Sequence, residues 1–403
     1  MYLPTLEDAK NIVATNPNFV QRTMRGTDGT RIYDFSYSLP SNQDFQRPIP
    51  ARPEIDAMEL RGLTFVEYPN GDVQRYLMLR KFFSYNSNPT TQRKVLEGKT
   101  LRHISEKCDG SLARFIRVNG ETRARTQKRI RAIEGDTWDD GRPLTSAPHT
   151  HAVQAIYDND PAIKSFVDYT LDNHIAATFE YEDPEFDIVV RPDRITLVLT
   201  QMRCEHTGDI LNINDYNTHG ITRADSHAEH MPHTLDEIEA AMLTATHTEG
   251  WVGNFDGQLV KFKTRWYENL HDLSFEGRVT PRTLLTALMD GNLDDAIAHM
   301  GPNHAHYETA RAFLEEVGPK VGRFMRDMHT FIVQHRDAVK DPVQRKALAQ
   351  SIPNSKKSWL GMAVQHGNAS EHIIAERIKE YCTKFNRSES NAKDFINQVK
   401  NNV

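Results

Sequence analysis

The sequence is poor in cysteine and contains no long apolar run. Only three cysteines occur in 403 residues, and they lie far apart, at Cys108, Cys204 and Cys382. They form no CxxC pair and their number is odd, so a disulfide framework is not expected. A reducing compartment is expected instead. No run of about 18 apolar residues is present, and the N-terminus lacks the apolar segment of a signal peptide. These absences predict a cytoplasmic protein that does not span a membrane.

A dedicated metal-binding motif is also missing. Four of the 18 histidines fall in one stretch, at His219, His227, His230 and His233. Their spacing matches neither HExxH nor a comparable ligand pattern, so the stretch is interpreted as a polar, solvated surface.

Net charge does not single out a nucleic-acid partner. The chain carries 49 Lys+Arg against 55 Asp+Glu, a balance of −6. Residues 271–403 hold 18 basic and 16 acidic residues, which leaves 31 against 39 for residues 1–270. The densest basic stretch has its charges at Arg123, Arg125, Lys128, Arg129 and Arg131. Composition favours a solvated basic face here, and contact with an RNA backbone is the alternative, because local patches decide phosphate binding.

The first two thirds of the chain indicate mixed α and β structure. A short helix is predicted over 6–15. Short apolar or alternating runs bounded by turn residues predict strands, and these runs are 31–37, 63–68, 73–79, 112–118, 176–181, 194–203 and 258–263. Asn-Gly lies between alternating runs at 70–71 and again at 119–120, which is a strong hairpin signal. An antiparallel-rich α+β domain is therefore expected over residues 1–269.

The remainder, residues 270–403, is predicted to be an all-helical domain. Thr280-Pro281 places an N-cap residue before a proline at the first helical position and opens a helix over 282–290. Apolar residues at three-to-four spacing predict further helices, over 307–317, 321–339 and 373–385.

The sharpest chemical motif is Glu-Lys-Cys-Asp-Gly-Ser at 106–111, directly before the strand 112–118. One interpretation is a surface hairpin that carries a lysine. The other is a nucleophilic Lys107 at the mouth of a pocket. Such an amine must be neutral to attack, which requires desolvation or nearby cations. Gly110 gives the turn the freedom to place it.

Five further motifs surround Lys107 in a fixed order. Upstream are Arg-Gly-Leu-Thr-Phe at 61–65 and Lys-Phe-Phe-Ser-Tyr-Asn at 81–86. Downstream are Phe-Glu-Tyr at 179–181, Glu-Gly-Trp-Val at 249–252 and Val-Lys-Phe-Lys-Thr at 260–264. Each alone has an ordinary explanation, such as an edge strand with outward lysines. Together they are typical of the covalent nucleotidyltransferases, the superfamily of ligases and mRNA-capping enzymes.

Within that superfamily the chain resembles the phage-type RNA ligase 1 family, the tRNA-repair ligases of tailed phages. The resemblance also includes Phe-Ser-Tyr at 35–37, Lys-x-Lys-x-x-Trp-Tyr at 261–267, and Met-Asp-Gly at 289–291 with Asp294-Asp295, and it covers about residues 31–295. DNA ligases and capping enzymes normally continue into a small β-barrel, whereas helices are predicted here. The resemblance implies an antiparallel-sheet nucleotidyltransferase domain, an ATP-grasp-like ligase domain, followed by the helical domain.

The resemblance implies roles for individual residues. Lys107 would attack ATP and carry AMP, with Lys261 and Lys263 assisting catalysis at the α-phosphate. The implied ATP contacts are Tyr37, Arg61, Lys81, Glu180, Lys261, Lys263 and Arg125, the last standing where the family carries a lysine. The implied ligands of Mg²⁺, with Mn²⁺ as an alternative, are Asp109, Glu180, Glu249 and, beside Tyr267, Asp294. Ribose contact is an alternative role for Glu180, and helix capping is one for Asp294.

The implied reaction joins 5′-phosphate and 3′-hydroxyl RNA ends, as in tRNA repair. The implied partners are a cleaved tRNA or single-stranded RNA ends and, by analogy alone, an end-healing kinase-phosphatase. The location would be the host cytoplasm if a phage encodes the chain. Two alternatives remain: a DNA ligase or capping-type enzyme, and a nucleic-acid-binding relative that has lost catalysis. The second is disfavoured because the charged motif residues are all present.

Overall fold

The computed structural model describes the chain except for residues 1, 17, 38–44, 46–54, 186–188, 275–278, 291–292, 301, 303, 370 and 402–403. The chain forms two compact units, Met1–Thr264 and Arg265–Val403. Within the described residues, no helix combines the length and the apolar character that a membrane crossing requires.

The first unit contains three β-sheets and flanking helices. Its described strands are, in chain order, β1 (Phe19–Arg25), β2 (Arg31–Tyr37), β3 (Thr64–Glu67), β4 (Val73–Tyr76), β5 (Phe83–Ser84), β6 (Leu101–Glu106), β7 (Ser111–Val118), β8 (Glu121–Thr126), β9 (Thr137–Trp138), β10 (Ile175–Glu182), β11 (Thr196–Cys204), β12 (Ile210–Leu211), β13 (Thr222–Arg223), β14 (Gly250–Phe255) and β15 (Gln258–Lys263). Its described helices are α1 (Leu6–Thr15), α2 (Arg93–Leu96), α3 (Pro148–Asn159), α4 (Pro161–Asp172) and α5 (Leu235–Thr244).

The first sheet has the order β4-β3-β2-β1-β9 and is antiparallel throughout. Helix α1 begins with a capping box, in which Thr5 and Asp8 satisfy each other's backbone amides. The helix packs Ala9 and Ile12 into the same core as Phe35 of β2. The sheet is thereby covered by a helix whose start is fixed by its sequence.

The second sheet has the order β12-β11-β10-β7-β8, with β13 added parallel to β11. The turn from β7 to β8 places Asn119 at φ 53° and Gly120 at φ 76°. Two successive positive φ angles are what a tight type I′ hairpin requires, which explains the Asn-Gly pair. Helices α3 and α4 bury apolar side chains such as Val153 and Phe166 in one core with the sheet's Phe179.

The third sheet has the order β5-β15-β14-β6, with β5 parallel to β15 and the other pairs antiparallel. Helix α5 opens with a capping box between Thr234 and Glu237. It buries Ile238 in a core shared with Trp251 and Phe262. Strand β6 of this sheet and strand β7 of the second sheet are consecutive in sequence, so the segment between them joins the two sheets.

The second unit is helical in its described residues. Its helices are α6 (Arg265–Ser274), α7 (Pro281–Asp290), α8 (Leu293–Met300), α9 (Tyr307–His335), α10 (Pro342–Ser351), α11 (Lys357–His366), α12 (Glu371–Thr383) and α13 (Glu389–Asn401). The core of this unit forms around α9, where Phe324 contacts the rings of Trp359 and Phe395. The predicted break between 317 and 321 is wrong, because α9 continues through Pro319. Packing of the apolar stripe on both sides of the proline offsets the lost hydrogen bond.

The prediction of an α+β fold with antiparallel sheets and a helical C-terminal region is confirmed. The predicted elements 6–15, 31–37 and 258–263 coincide with α1, β2 and β15, and both Asn-Gly hairpins form. Strands β1, β6 and β14 and helices α3 to α5 were not predicted, and β8 was predicted only as the second strand of the hairpin at 119–120, without bounds. The predicted domain boundary after residue 269 falls within α6, five residues beyond the end of the first unit.

Candidate active site

Lys107 lies in the short segment that crosses from the third sheet to the second. It follows the last residue of β6, and its backbone amide donates to the carbonyl of Gly250 at 2.8 Å. Gly110 ends the segment where β7 meets β10, and a Cβ there would lie 2.3 Å from the Tyr181 carbonyl oxygen. Only glycine permits that approach. The Lys-Cys-Asp-Gly sequence therefore places Lys107 at the junction of the two sheets.

Glu249 ties two lysines together at this junction. Its side chain is 3% exposed and contacts the Lys107 ammonium, while its Oε1 lies 3.1 Å from the Lys263 ammonium. Gly250, the next residue, has φ +135°, and a Cβ there would lie 1.9 Å from the Phe262 carbonyl oxygen. The Glu-Gly pair is thus required for the strand to start so close to β15. Glu249 holds Lys107 in a fixed, charged arrangement.

A second group of cations forms no ion pair with any carboxylate that the structure describes. Within the described part of the chain, Arg61, Lys81 and Lys261 take part in no ion pair, and the buried Nε and Nη1 of Arg61 have no hydrogen-bond partner. Arg61 and Lys261 both contact the ring of Phe82, with the Lys261 ammonium 4.9 Å from its centroid. Burial, followed by the charges of Arg61 and Lys81, lowers the pKa of Lys261 well below its ordinary value. These unpaired cations favour an anionic ligand.

Glu180 adds a carboxyl group whose protonation is sensitive to pH. It lies on β10, opposite Leu112 of β7. Burial raises the pKa of Glu180 to about 7, against the lowering effect of Lys107 and Arg61. Burial also raises the pKa of the Cys108 thiol, so this cysteine is a packed neutral group and not a reactive thiolate.

The cavity at the junction has a volume of about 90 Å³. It is lined by Arg61, Leu79, Phe82, Ser105, Glu106, Lys107, Cys108, Leu112, Glu180, Thr200, Gln201, Val252, Leu259 and Lys261. The structure therefore brings the predicted residues Arg61, Lys107, Glu180 and Lys261 together. Lys263 and Glu249 join them through the Lys107 contact. A primary amine beside several cations and an apolar wall is suited to attack on a phosphorus atom of a bound nucleotide.

The remaining predicted residues of the first unit border this group. Lys81 lies with its ammonium 5.7 Å from the ring centroid of Tyr37. Burial lowers the pKa of Lys81 and raises the pKa of Tyr37. Asp109 accepts hydrogen bonds from the backbone amides of Val189 at 2.9 Å and Val190 at 3.0 Å. Its carboxylate thus fixes the segment after β10.

The arginines of β8 do not form a solvated basic face, and that interpretation is wrong for Arg123 and Arg125. These side chains are 2% and 1% exposed. Arg123 pairs with Asp136 at 2.7 Å, and Arg125 pairs with Asp34 at 2.6 Å and donates to the Gly62 carbonyl at 2.6 Å. Neither can contact an RNA backbone from these positions. Arg125 holds β8 to β2 and supports the segment beside Arg61 without lining the cavity.

Metal ligands are not preassembled in the described part of the chain. No group of three or more histidine, cysteine, aspartate or glutamate side chains is placed to hold an ion there. The described histidines at 219–233 therefore form no such group, and neither do Asp109, Glu180 and Glu249. Tyr267 lies buried on α6 in the second unit, and the predicted side chain of Asp294 is outside the described part.

Gln201 and Thr200 line the cavity and were not predicted from the sequence. The available signal was a pair of adjacent polar residues inside the otherwise apolar run of β11. Phe82, Val252 and Leu259 were within or next to quoted motifs, but their role as the apolar wall was also not predicted.

Comparison with known proteins shows a distant similarity to a named protein. No protein-family model matches the chain. A protein of Thermovibrio ammonificans named "Putative RNA ligase" is 26% identical over 301 residues, which is 73% of this chain and 71% of that protein. The chain thus has a protein named as an RNA ligase among its distant relatives.

Proposed function

We propose that the chain is an ATP-dependent RNA ligase that forms a covalent adenylate on Lys107. The observation that carries the proposal is the group of half-buried cations that form no ion pair among the described residues, Arg61, Lys81 and Lys261, beside a lysine nucleophile. Buried charges without partners destabilise a protein, and a polyphosphate would provide the missing negative charge. The distant RNA ligase relative supports RNA as the substrate, and the ordered motifs support ATP.

In the first step, the Lys107 amine attacks the α-phosphorus of ATP. The new N–P bond forms as the bond from the α-phosphorus to the pyrophosphate oxygen breaks, giving lysyl-AMP and pyrophosphate. The ammonium must first lose a proton, and the contacting Glu249 carboxylate is the acceptor at hand. Lys261 and Lys263 project from one face of β15 and would stabilise charge on the α-phosphate. Arg61 and Lys81, with Tyr37, would hold the outer phosphates and ribose.

Two further transfers complete the reaction. An oxygen of the RNA 5′-phosphate attacks the adenylate phosphorus, the N–P bond breaks, and the lysine nitrogen regains a proton. The oxygen of an RNA 3′-hydroxyl then loses its proton and attacks the activated 5′-phosphate, which releases AMP. Neither step requires a nucleophile from the protein, because the RNA supplies both attacking oxygens and Lys107 is the leaving group of the first.

Mg²⁺ enters this proposal together with the triphosphate, and Mn²⁺ is an alternative. The Asp109 carboxylate already accepts from backbone amides, and the Glu249 carboxylate already contacts lysines. Both are therefore suited to bind a hydrated ion through its water molecules. Glu180 fits the same role, or a contact to the ribose. When bound, the ion neutralises phosphate charge. Asp294 remains a candidate for a second ion.

The natural substrate proposed by family analogy is a cleaved tRNA, with its ends prepared by a kinase-phosphatase. Exposed Lys128 and Arg129 remain in place to contact an RNA backbone. Recognition of RNA shape is assigned to the helical unit. The proposed location is the cytoplasm, of a host cell if a phage encodes the chain.

The deciding experiment is labelling with ATP that is radioactive at the α-phosphate, in the presence of Mg²⁺, followed by a denaturing gel. We expect a labelled band from the wild type and none from Lys107→Ala. Lys94→Ala is the matched control, because Lys94 is an exposed lysine outside the cavity, and it should retain the label. A wild type freed of AMP that takes up no label would overturn the proposal.

The substrate is then tested with a 5′-phosphorylated RNA strand. Circularisation or joining of RNA, with no sealing of nicked duplex DNA, is the expected result. Labelling from GTP instead of ATP would favour a capping-type enzyme, and sealing of DNA alone would favour a DNA ligase.

A further inference from the structure

Strand β11 turns two successive polar residues toward the cavity. Leu199 and Met202 both belong to the core beneath the second sheet. The register with β10 shifts at this point, so that Leu199 and Gln201 face consecutive residues of β10 and Thr200 is the extra residue of a β-bulge. A regular strand would put 199 and 201 on one face. The bulge instead returns Met202 to the core and turns Thr200 and Gln201 to the opposite side.

The carboxamide of Gln201 is buried there with its oxygen unsatisfied. The residue is 7% exposed, and its Oε1 has no hydrogen-bond partner. The side chain lines the cavity of Lys107 and also two adjoining cavities of about 390 and 400 Å³. Buried amide oxygens are almost always hydrogen-bonded, so this one is best explained by a donor on a ligand.

The surroundings of Gln201 fit a planar ring with a polar edge. Phe82, Leu259 and Gln201 all line the Lys107 cavity and the adjoining cavity of about 390 Å³. Val252 also lines the Lys107 cavity. Lys107 and Lys261 lie at the same cavity, so an apolar wall, a carboxamide and a cationic group share one site. A carboxamide can form two hydrogen bonds to the edge of adenine, as glutamine does in DNA recognition.

We propose that Gln201 binds the nucleobase of the nucleotide, with Oε1 accepting from the adenine 6-amino group and Nε2 donating to ring N1. This inference rests on the proposed function of the site. A carboxamide rotated by half a turn would suit guanine. The contact is therefore tested by removing the amino group of the ligand, and not by the preference for ATP over GTP alone.

The experiment measures the rate of Lys107 adenylylation, relative to KM, with ATP and with purine riboside triphosphate, which lacks the 6-amino group. For the wild type we expect a value about tenfold lower with the analogue, the cost of leaving a buried acceptor unpaired. For Gln201→Met we expect a value about tenfold lower with ATP and no further loss with the analogue. Gln344→Met, at an exposed glutamine, should keep the wild-type ratio between the two nucleotides.

A second variant gives an independent result. Gln201→Glu keeps the shape and offers only acceptors, which suit the N1–H and 2-amino groups of guanine, so the ratio of GTP to ATP use should rise at least about tenfold. Equal use of ATP and the analogue by the wild type, or an unchanged ratio in Gln201→Met, would overturn the nucleobase contact. If Gln201→Met does not fold, the wild-type comparison and Gln201→Glu decide. No labelling of the wild type at all would instead refute the proposed function.

Discussion

Replacing Glu180 by glutamine should stabilise the ligand-free chain, and more so as the pH rises. Burial raises the pKa of Glu180 from 4.5 to about 7. The folded protein therefore holds a proton at this carboxyl group that the unfolded chain releases between these two pH values. Stability falls with rising pH wherever the folded state binds more protons than the unfolded state. Glu180 is thus a destabilising residue at alkaline pH.

The size of the effect follows from the raised pKa. A carboxyl group whose pKa rises from 4.5 to about 7 on folding lowers the free energy of unfolding by on the order of 3 kcal/mol at pH 8, and by about 1 kcal/mol at pH 5. Glutamine has the shape of the protonated carboxyl group and does not titrate. The free energy of unfolding of Glu180→Gln should therefore exceed that of the wild type by about these amounts.

Urea unfolding of the ligand-free protein at pH 5 and pH 8 measures this difference. Glu134→Gln is the matched control, since Glu134 is exposed in the same unit, and its stability should follow the wild type at both pH values. A difference for Glu180→Gln that is the same at pH 5 and pH 8 would refute the reasoning. The variant should also lose adenylylation, because gains in stability at functional sites commonly reduce activity.

Three further substitutions test separate parts of the site. Lys261→Met should raise the Tm of the ligand-free chain by removing a half-buried charge that forms no ion pair among the described residues, and should lower ATP labelling at least about tenfold. A lower Tm would contradict the absence of a partner for Lys261. Arg125→Met should lower the free energy of unfolding in urea by about 3 kcal/mol, because it leaves the buried Asp34 carboxylate with only the more distant Arg22, at 3.7 Å. Arg129→Met, at an exposed site, should change it by less than about 0.5 kcal/mol. Gly250→Ala should lower the free energy of unfolding by about 3 kcal/mol and weaken labelling, because the added Cβ meets a backbone oxygen at 1.9 Å. If the variant is as stable in urea as the wild type, the strand relaxes around the added Cβ and the reasoning is wrong.

The sequence was sufficient to predict several residues of short contiguous motifs that the structure brings together at the sheet junction. Glu249 directly precedes Gly250, and Lys107 lies three residues before Gly110; both glycines allow a close backbone approach that a Cβ would block, so each motif contains both the side chain and the local geometry. Lys261 and Lys263 alternate along one strand, and the period of two places them on the same face. These relations are local, and they do not depend on how the sheets pack.

Arg125 and Gln201 show what remained beyond such reasoning. The partner of Arg125 is Asp34, 91 residues away in sequence, and nothing near the arginine marks it as buried. Gln201 faces the cavity only because a bulge shifts the register of β11. A strict period of two from Leu199 would have placed it in the core. The burial of Arg125 and the orientation of Gln201 both depend on pairing between distant strands, which residue propensity and periodicity do not predict.

The first unit pairs its other buried arginines with carboxylates. Arg203 lies 2.8 Å from Glu59, and Arg114 lies 2.8 Å from Glu205. Residues 1–270 carry 39 acidic against 31 basic side chains, so carboxylates are plentiful. Among the described residues, the half-buried Lys261 nevertheless forms no ion pair, and it lines a cavity in which burial raises the pKa of the Glu180 carboxyl group to about 7. A cation without an ion pair and a carboxyl group with a raised pKa in the same cavity indicate a functional site, since packing alone would not maintain them. Under the proposed function, the phosphates of a nucleoside triphosphate would pair with the Lys261 side chain in this cavity.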